Sequence, residues 1–419
     1  MKKHFNICTY SYFVLTWFVV TGMFNGLSSI ILTASQKIFI DTLLIIGLFI
    51  FNKRLSKFSL KQILFISFYL FLSFFSLIFY VNNNHYGFEK LLKNVVLTVF
   101  VSFNYFVLYK TFYKNTFTTY LYILLGFQIF ITLFLAIFFF LYNKNTGYLG
   151  HSIVQIVVFQ DWEGRFQGTF SEPSFLGVWL GSTIFLLPLL WKSCFSYFIS
   201  GIFIFILYSF CKAKFALLAF PIALGGAVVI KRCVLKSVFK QIWLYFSLIC
   251  LFSLFFTQFV NIFFSFVCQF FGLDGSATYV TRFGLLFASL QNICFYPLGT
   301  GFGFQYETLQ NIFTEIIPIA DKFNLDTNEL LGYRLNPNSM GSKETVSFVT
   351  STAGFLGIFL FISYFKKLLN SRYNHTIAST GLILFLFIEF FITSNAIAHP
   401  AFFILLFSKI ALNTDKRKF

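Results

Sequence analysis

Apolar runs of about 18 residues or more recur along the whole chain, each long enough to cross a hydrocarbon layer roughly 30 Å thick. The stretch "TTYLYILLGFQIFITLFLAIFFFLY", beginning at Thr118, holds no charged residue. That repetition dictates the fold class. Only 11% of the residues are charged and 58% are hydrophobic, whereas a soluble domain averages about 25% charged. Such a chain cannot solvate its own surface in water. The expected fold is an all-α polytopic integral membrane protein; a transmembrane β-barrel would show short alternating segments instead.

The runs predict about 12 transmembrane helices, at 10–33, 36–52, 61–81, 92–109, 118–142, 173–191, 195–211, 213–230, 241–266, 346–365, 377–394 and 397–411. They form a single transmembrane domain over residues 1–419. Two junctions, at Cys211–Lys214 and Asn395–His399, read either as hairpins or as breaks in one helix. The opening "MKKHFNICTYSYFVLTWFVVTG" has the lysines of a signal peptide but no A-x-A-like cleavage site, so it reads as an uncleaved first span.

Charge sets the orientation. With the N-terminus inside, the cytoplasmic loops hold Lys53, Arg54, Lys57 and Lys61, then Lys110 and Lys114. Further along they hold Lys231, Arg232, Lys236 and Lys240, then Lys366, Lys367 and Arg372, and finally Lys416, Arg417 and Lys418. The opposite face is poor in Lys and Arg for its length, as the positive-inside rule requires. Both termini are then cytoplasmic. The net charge of +17 serves topology and anionic lipid, not nucleic acid, because no basic segment forms a groove-reading element. The seven cysteines are scattered without a C-x-x-C pair, so neither a metal nor a redox motif is indicated. Cys268 and Cys294 share the outer face on this topology.

Two external loops are long, about 143–172 and about 267–345, and amphipathic helices are expected in the second. Cytoplasmic loops are short and carry no phosphate-binding G-x-x-x-x-G-K-[ST]. The soluble chemistry therefore faces away from cytoplasmic nucleotide.

Within the first loop, Arg165 precedes Gly168 and Glu172, and Pro173 then opens a span. Proline suits the first helical position, and a glutamate just before it gains from the helix dipole. These residues serve either as a cap with its partner or as an anion site over a helix N-terminus. In the second loop Arg282 starts an amphipathic stretch. Pro297 with Gly299, Gly301 and Gly303 ends it, with neither the strand nor the lysine of a nucleotide loop. Asp41 could pair with Lys37. Glu389 lies deep in the eleventh span, where a carboxylate needs a partner or a cavity. Lys212 and Lys214 sit on the outer side against the charge rule and read as snorkelling side chains. His85, His151 and His399 have no metal-ligand companions.

Three stretches taken together resemble the bacterial O-antigen polymerase and O-antigen ligase superfamily. The first is R-x-x-G-x-x-x-E-P-S, from Arg165 to Ser174. The second opens with R-F-G-L-L-x-A-S-L at Arg282 and closes with Y-P-L-G-T-G-F-G at Gly303. The third is "SFVTSTAGFLGIFLF", with Gly354 and Gly357 in a small-residue helix start. The ligases of that superfamily carry P-N after the R-x-x-G and a histidine late in the large loop. Residues 343–352 contain no histidine, and the E-P-S form is similar to the Wzy-type polysaccharide polymerases.

The resemblance implies a glycosyltransferase in the bacterial cytoplasmic (inner) membrane. It would move a growing glycan from undecaprenyl pyrophosphate to a new lipid-linked repeat unit on the outer face, building O-antigen of lipopolysaccharide or a capsule. Arg165 and Arg282 would stabilise pyrophosphate charge, and Glu172 would accept the acceptor proton, with Glu344 and Glu315 in reserve. Gly168, Ser174, Gly299, Gly301, Gly303 and Arg334 would bind substrate. No cofactor or metal is implied. The implied partners are the undecaprenyl-pyrophosphate-linked oligosaccharide, membrane lipid and a chain-length regulator. The competing readings are an O-antigen ligase acting on lipid A core, a transporter or flippase for lipid-linked oligosaccharide, a peptidoglycan glycosyltransferase, and a membrane scaffold without catalysis.

Overall fold

The fold is described from a computed structural model of the chain. The structure describes residues 10–14, 16–18, 34–51, 67, 71, 118–143, 166, 173–191, 193–211, 213–232, 276–301, 307–335, 345–370 and 376–392. Among these residues all regular structure is helical and no strand occurs. The spans expected at 92–109, 241–266 and 397–411 lie outside the described residues, as does nearly all of 61–81.

The helices are α1 (Ala34–Phe51), α2 (Thr118–Asn143), α3 (Pro173–Leu190), α4 (Cys194–Ile206), α5 (Lys214–Arg232), α6 (Ser276–Phe295), α7 (Gln310–Asp321), α8 (Asn328–Leu335), α9 (Thr345–Leu369) and α10 (Ile377–Ile392). A π-helical turn, Leu207–Cys211, extends α4. Three stretches, Tyr122–Leu141, Cys194–Cys211 and Thr345–Leu369, are long and apolar enough to cross a membrane. Shorter apolar helices accompany them at Phe39–Leu48, Ser174–Leu190, Ala216–Ile230, Val280–Phe295 and Ile377–Phe391.

α2 is long and apolar enough to cross a membrane. Ile123, Phe127, Phe130, Phe134, Ile137 and Leu141 repeat at helical spacing, and each is 40–65% exposed. The opposite side, with Leu125, Ile129, Thr132, Leu135 and Phe139, is buried. A stripe of large exposed apolar side chains six positions long is compatible with a lipid-facing surface. Polar side chains on these apolar helices turn inward to their own backbone: Thr132 donates to Gln128 O, Ser182 to Val178 O and Thr183 to Trp179 O. In a medium without water that is the nearest available acceptor.

α3, α4, α5, α9 and α10 pack into a bundle around one large core. Small residues set its close approaches. A side chain at Gly181 would run into Phe385, and one at Gly381 into Phe185. These pairs fix α3 and α10 as antiparallel and in register. Phe361 of α9 packs against Phe391 and Phe387 of α10 at 6.3 and 5.7 Å, and Phe365 packs edge-on against Phe387 at 5.3 Å, again an antiparallel order. Consequently the C-terminal ends of α5 and α9 meet the start of α10 at one end of the bundle. The sequence places Lys231, Arg232, Lys366 and Lys367 there. We call this the basic end.

The other end carries a cap. α6, α7 and α8 enclose a second, smaller core of Val280, Leu285, Phe287, Ile312, Phe313, Ile316, Leu330 and their neighbours. α6 belongs to both regions, because Leu286, Leu290 and Ile293 on its other face join the bundle core. The amphipathic helices expected in the loop 267–345 are therefore present and folded on one another.

α9 begins at Thr345 and is kinked at Gly354, with φ 55° and ψ −134°, so the small-residue stretch starts the second of its two helical segments. Asp41 is 3% exposed and accepts a hydrogen bond from Trp17 Nε1 at 2.9 Å. Lys37's side chain lies outside the described residues. Glu389 is buried at 1% exposure, as a carboxylate in an apolar helix requires. The α3–α10 register sets it level with Gly177, about one turn from the start of α3 at the cap end.

The Cys211–Lys214 junction is a hairpin: α4 runs antiparallel to α3, with Ser200 Oγ donating to Ile184 O at 3.2 Å, and α5 runs parallel to α3, with Gly177 against Ala213 and Phe185 against Phe220. Tyr208 Oη donates to Leu217 O at 3.0 Å, which nine residues of continuous helix, about 13 Å of rise, would not allow.

Candidate functional site

The second and third sequence stretches, far apart in the chain, meet. α6 ends at Phe295, where Pro297 and the glycines stop it as expected. The following loop then inserts into the break in α9. In an unbroken helix Phe355 N would donate to Ser351 O. Here Phe355 N donates to Pro297 O at 3.0 Å. Ser351 O accepts instead from Thr300 N at 2.9 Å and from Thr300 Oγ1 at 3.0 Å. The next carbonyl, Thr352 O, accepts from Gly301 N at 2.9 Å. The loop thus replaces helical hydrogen bonds that the break forfeits, which is what permits irregular backbone beside apolar helices.

Two glycines make this clamp sterically feasible. Gly299 has φ 77°, and a Cβ there would strike the backbone of Thr352 and Ala353. Gly354 has φ 55°, and its Cβ would strike the carbonyl of Pro297. L-residues avoid such angles, and the overlaps are with backbone that cannot rotate away.

Arg282 lies in the second turn of α6, partly buried. The residue before it, Thr281, donates to Glu329 Oε2 of α8 at 2.9 Å, and Tyr333 Oη donates to Glu329 Oε1. Arg334, exposed in the last turn of α8, follows Tyr333. Arg282 and Arg334 therefore flank the two ends of one hydrogen-bonded chain, Thr281–Glu329–Tyr333. Glu315 of α7 is exposed and accepts from Gln291 Nε2 at 3.1 Å.

The first stretch is represented by Phe166, Pro173 and Ser174. Pro173 opens α3, as its fixed φ predicts. Ser174 is half-buried in the first turn. Phe166 is fully buried, and its N–H donates to Phe210 O in the π-turn after α4 at 2.9 Å. Its ring packs on Phe139 at 5.3 Å, and Phe139 packs on Phe210 at 5.7 Å. The backbone next to Arg165 is thereby tied to the end of the bundle where α3 begins. Arg165, Gly168, Glu172, Gly303 and Glu344 lie outside the described residues, and so does Cys268. Cys294 is exposed.

Sequence reasoning missed three buried polar side chains. Asn292 of α6 is 1% exposed, and neither Nδ2 nor Oδ1 has a hydrogen-bond partner. In α9, Ser347 and Ser351 are 2% and 0% exposed, and their hydroxyls are likewise unpartnered. The signal was present: Asn292 falls ten residues after Arg282 on the stripe 282, 285, 289, 292, and the two serines are spaced i, i+4. Among the described residues no three His, Cys, Asp or Glu side chains gather to hold a metal ion.

Comparison with protein-family models, with curated proteins and with solved structures returns no match to this chain.

Proposed function

We propose that the chain is a polysaccharide polymerase of the bacterial cytoplasmic membrane, a glycosyltransferase that extends a lipid-linked glycan at the cap end of the bundle. The observation that carries the reading is the clamp. It holds the helix bearing Arg282 against apolar helices, which supports a cationic group near the membrane surface, where a lipid pyrophosphate would meet a soluble glycan. The reading also places the cap end outside and the basic end in the cytoplasm, as the positive-inside rule favours. About 12 spans belong to the same proposal.

The chemistry is a single displacement. The acceptor sugar's hydroxyl oxygen attacks the anomeric carbon of the growing glycan. The bond from that carbon to the pyrophosphate oxygen breaks, and the pyrophosphate keeps the electron pair. Arg282 and Arg165 stabilise the charge that develops on the leaving group, since guanidinium pairs bidentately with phosphate oxygens. The acceptor proton passes to a carboxylate, assigned to Glu172. Ser174 and Arg334 would add substrate contacts, and Gly299 and Gly301 serve the site through the clamp.

Replacing Arg282 or Arg165 by Ala in cells that carry the gene tests this. Chain extension should fall by at least about 100-fold, the scale for losing one charge-stabilising group, with normal protein level and single repeats accumulating on the lipid at the outer face. Long chains in both variants would refute the assignment. Repeat units trapped on the cytoplasmic face would indicate a transporter instead.

A further inference from the structure

No charged residue occurs between Arg282 and Glu307. This stretch holds most of α6 and all of the loop 296–301, within the segment 267–345 expected outside. Its depth follows from α9. That helix is long and apolar enough to cross a membrane, and Lys366 and Lys367 lie in its last turn. About 20 residues fill the hydrocarbon layer, so counting back from Lys366 places the other boundary near Val346. Ser351 O and Thr352 O, which accept from the loop, then lie about 8 Å inside that boundary at roughly 1.5 Å per residue.

The loop is built for that depth. The N–H groups of Tyr296, Gly299, Thr300 and Gly301 donate to the carbonyls of Asn292, Tyr296, Ser351 and Thr352, and Pro297 has none to donate. Irregular backbone at membrane depth survives only on such terms. The outward side chains are large and apolar: Phe295 is 64% exposed and Leu298 66%. Elsewhere on the cap the outward positions Glu315, Asp321, Lys322, Asp326 and Arg334 are charged. α9 shows the complement. Over 345–354 every residue but Val349 is buried. Large exposed side chains appear on α9 only past the break, at Phe359 and Tyr364.

We infer that the end of α6 and the loop 297–301 form a re-entrant segment, with Phe295 and Leu298 against the acyl chains of the bilayer. α6 packs along α9, covers its first turns and presents apolar residues to lipid in their place. The depth of the clamp specifies lipid as the occupant. A helix end lodged in hydrocarbon has no water for its last carbonyls, so protein must serve the backbone there. The clamp does so. The inference requires that α9 cross the membrane, and it is independent of the polymerase reading.

The test uses the full wild-type chain in nanodiscs that contain phosphatidylcholine with a diazirine in the upper half of one acyl chain. After illumination, mass spectrometry should find lipid adducts within 293–301 and none within 310–328 of the cap. Thiol labelling, located by mass spectrometry, gives a second readout. Native Cys294 is exposed beside Phe295. It and the Leu298→Cys variant should react with a charged methanethiosulfonate at least about tenfold more slowly than Lys322→Cys, because hydrocarbon excludes charge. Absence of lipid adducts from 293–301 would overturn the inference, whether water or protein covers the tip. Labelling of Leu298→Cys as fast as that of Lys322→Cys would also overturn it. Should Leu298→Cys misfold, the wild-type adducts and Cys294 decide. Neither readout depends on chain extension.

Discussion

The bundle and the cap dispose of polar groups in opposite ways. In the bundle, hydroxyls return to their own helix, as Ser182 and Thr183 do, and Ser200 bonds both Ser196 O and Ile184 O of the neighbouring helix. Large apolar side chains face outward. In the cap, side chains bond to side chains of other helices: Thr281 to Glu329, Gln291 to Glu315, and Thr327 to Asp321 across the α7–α8 turn. Its outer positions, among them Glu315, Asp321, Lys322, Asp326 and Arg334, are exposed and charged. The difference is one of solvent. Lipid offers a helix no partner, so polar atoms must be satisfied at once and locally. Water lets charged groups remain exposed and leaves longer-range links to decide which helices pair. The clamp lies at the seam and obeys both rules: it breaks α9, then satisfies the broken backbone with a loop from the cap.

Breaking the seam should have the largest effect. Gly354→Ala is expected to destabilise by about 3 kcal/mol or more, the upper end of the range for backbone strain, because its Cβ also meets Pro297 O. Thermal unfolding in nanodiscs measures this, and a midpoint near wild type would show that α9 passes the break without strain. Next comes the lipid face of α2. Phe130→Arg at the middle of that helix should cost about 2.5–3.5 kcal/mol of membrane insertion, read from the fraction of chains integrated. Unchanged insertion would show that the exposed stripe faces protein rather than lipid.

A smaller effect tests the cap alone. Thr281→Val removes one hydrogen bond to Glu329 and should cost about 1 kcal/mol. Hydrogen exchange should accelerate in 328–335 but not in α10; equal acceleration in both would mean that cap and bundle unfold as one unit. Smallest is Phe130→Ala, expected within about 0.5 kcal/mol of wild type because its ring is 65% exposed. A clear loss would place a packing partner against that face.

Local punctuation was legible in the sequence. Pro173 announced the start of α3, and Pro297 with Gly299 announced the end of α6, because a fixed φ and a positive φ are properties of single residues. The amphipathic stretch after Arg282 was equally visible. The break at Gly354 was legible only in part: Gly354 and Gly357 read as a helix start, but the Pro297–Gly301 loop that fills the gap lies far away in the chain. The same holds for Asn292, Ser347 and Ser351. A polar residue in an apolar helix reads as an exposed position until tertiary packing buries it. The level of Glu389 along the bundle depended on the α3–α10 register, which is set by Gly181 against Phe385 and by nothing local. For the first stretch, the sequence located the turn into α3, and the structure adds the tie from Phe166 to Phe210.

The most direct test of the central claim, that the clamp holds a pyrophosphate-binding arginine for chain extension, is the length distribution of lipid-linked glycan made by Arg282→Ala. The account predicts single repeats almost exclusively, with the variant's abundance and unfolding midpoint unchanged. A wild-type ladder of long chains at equal protein level would contradict it.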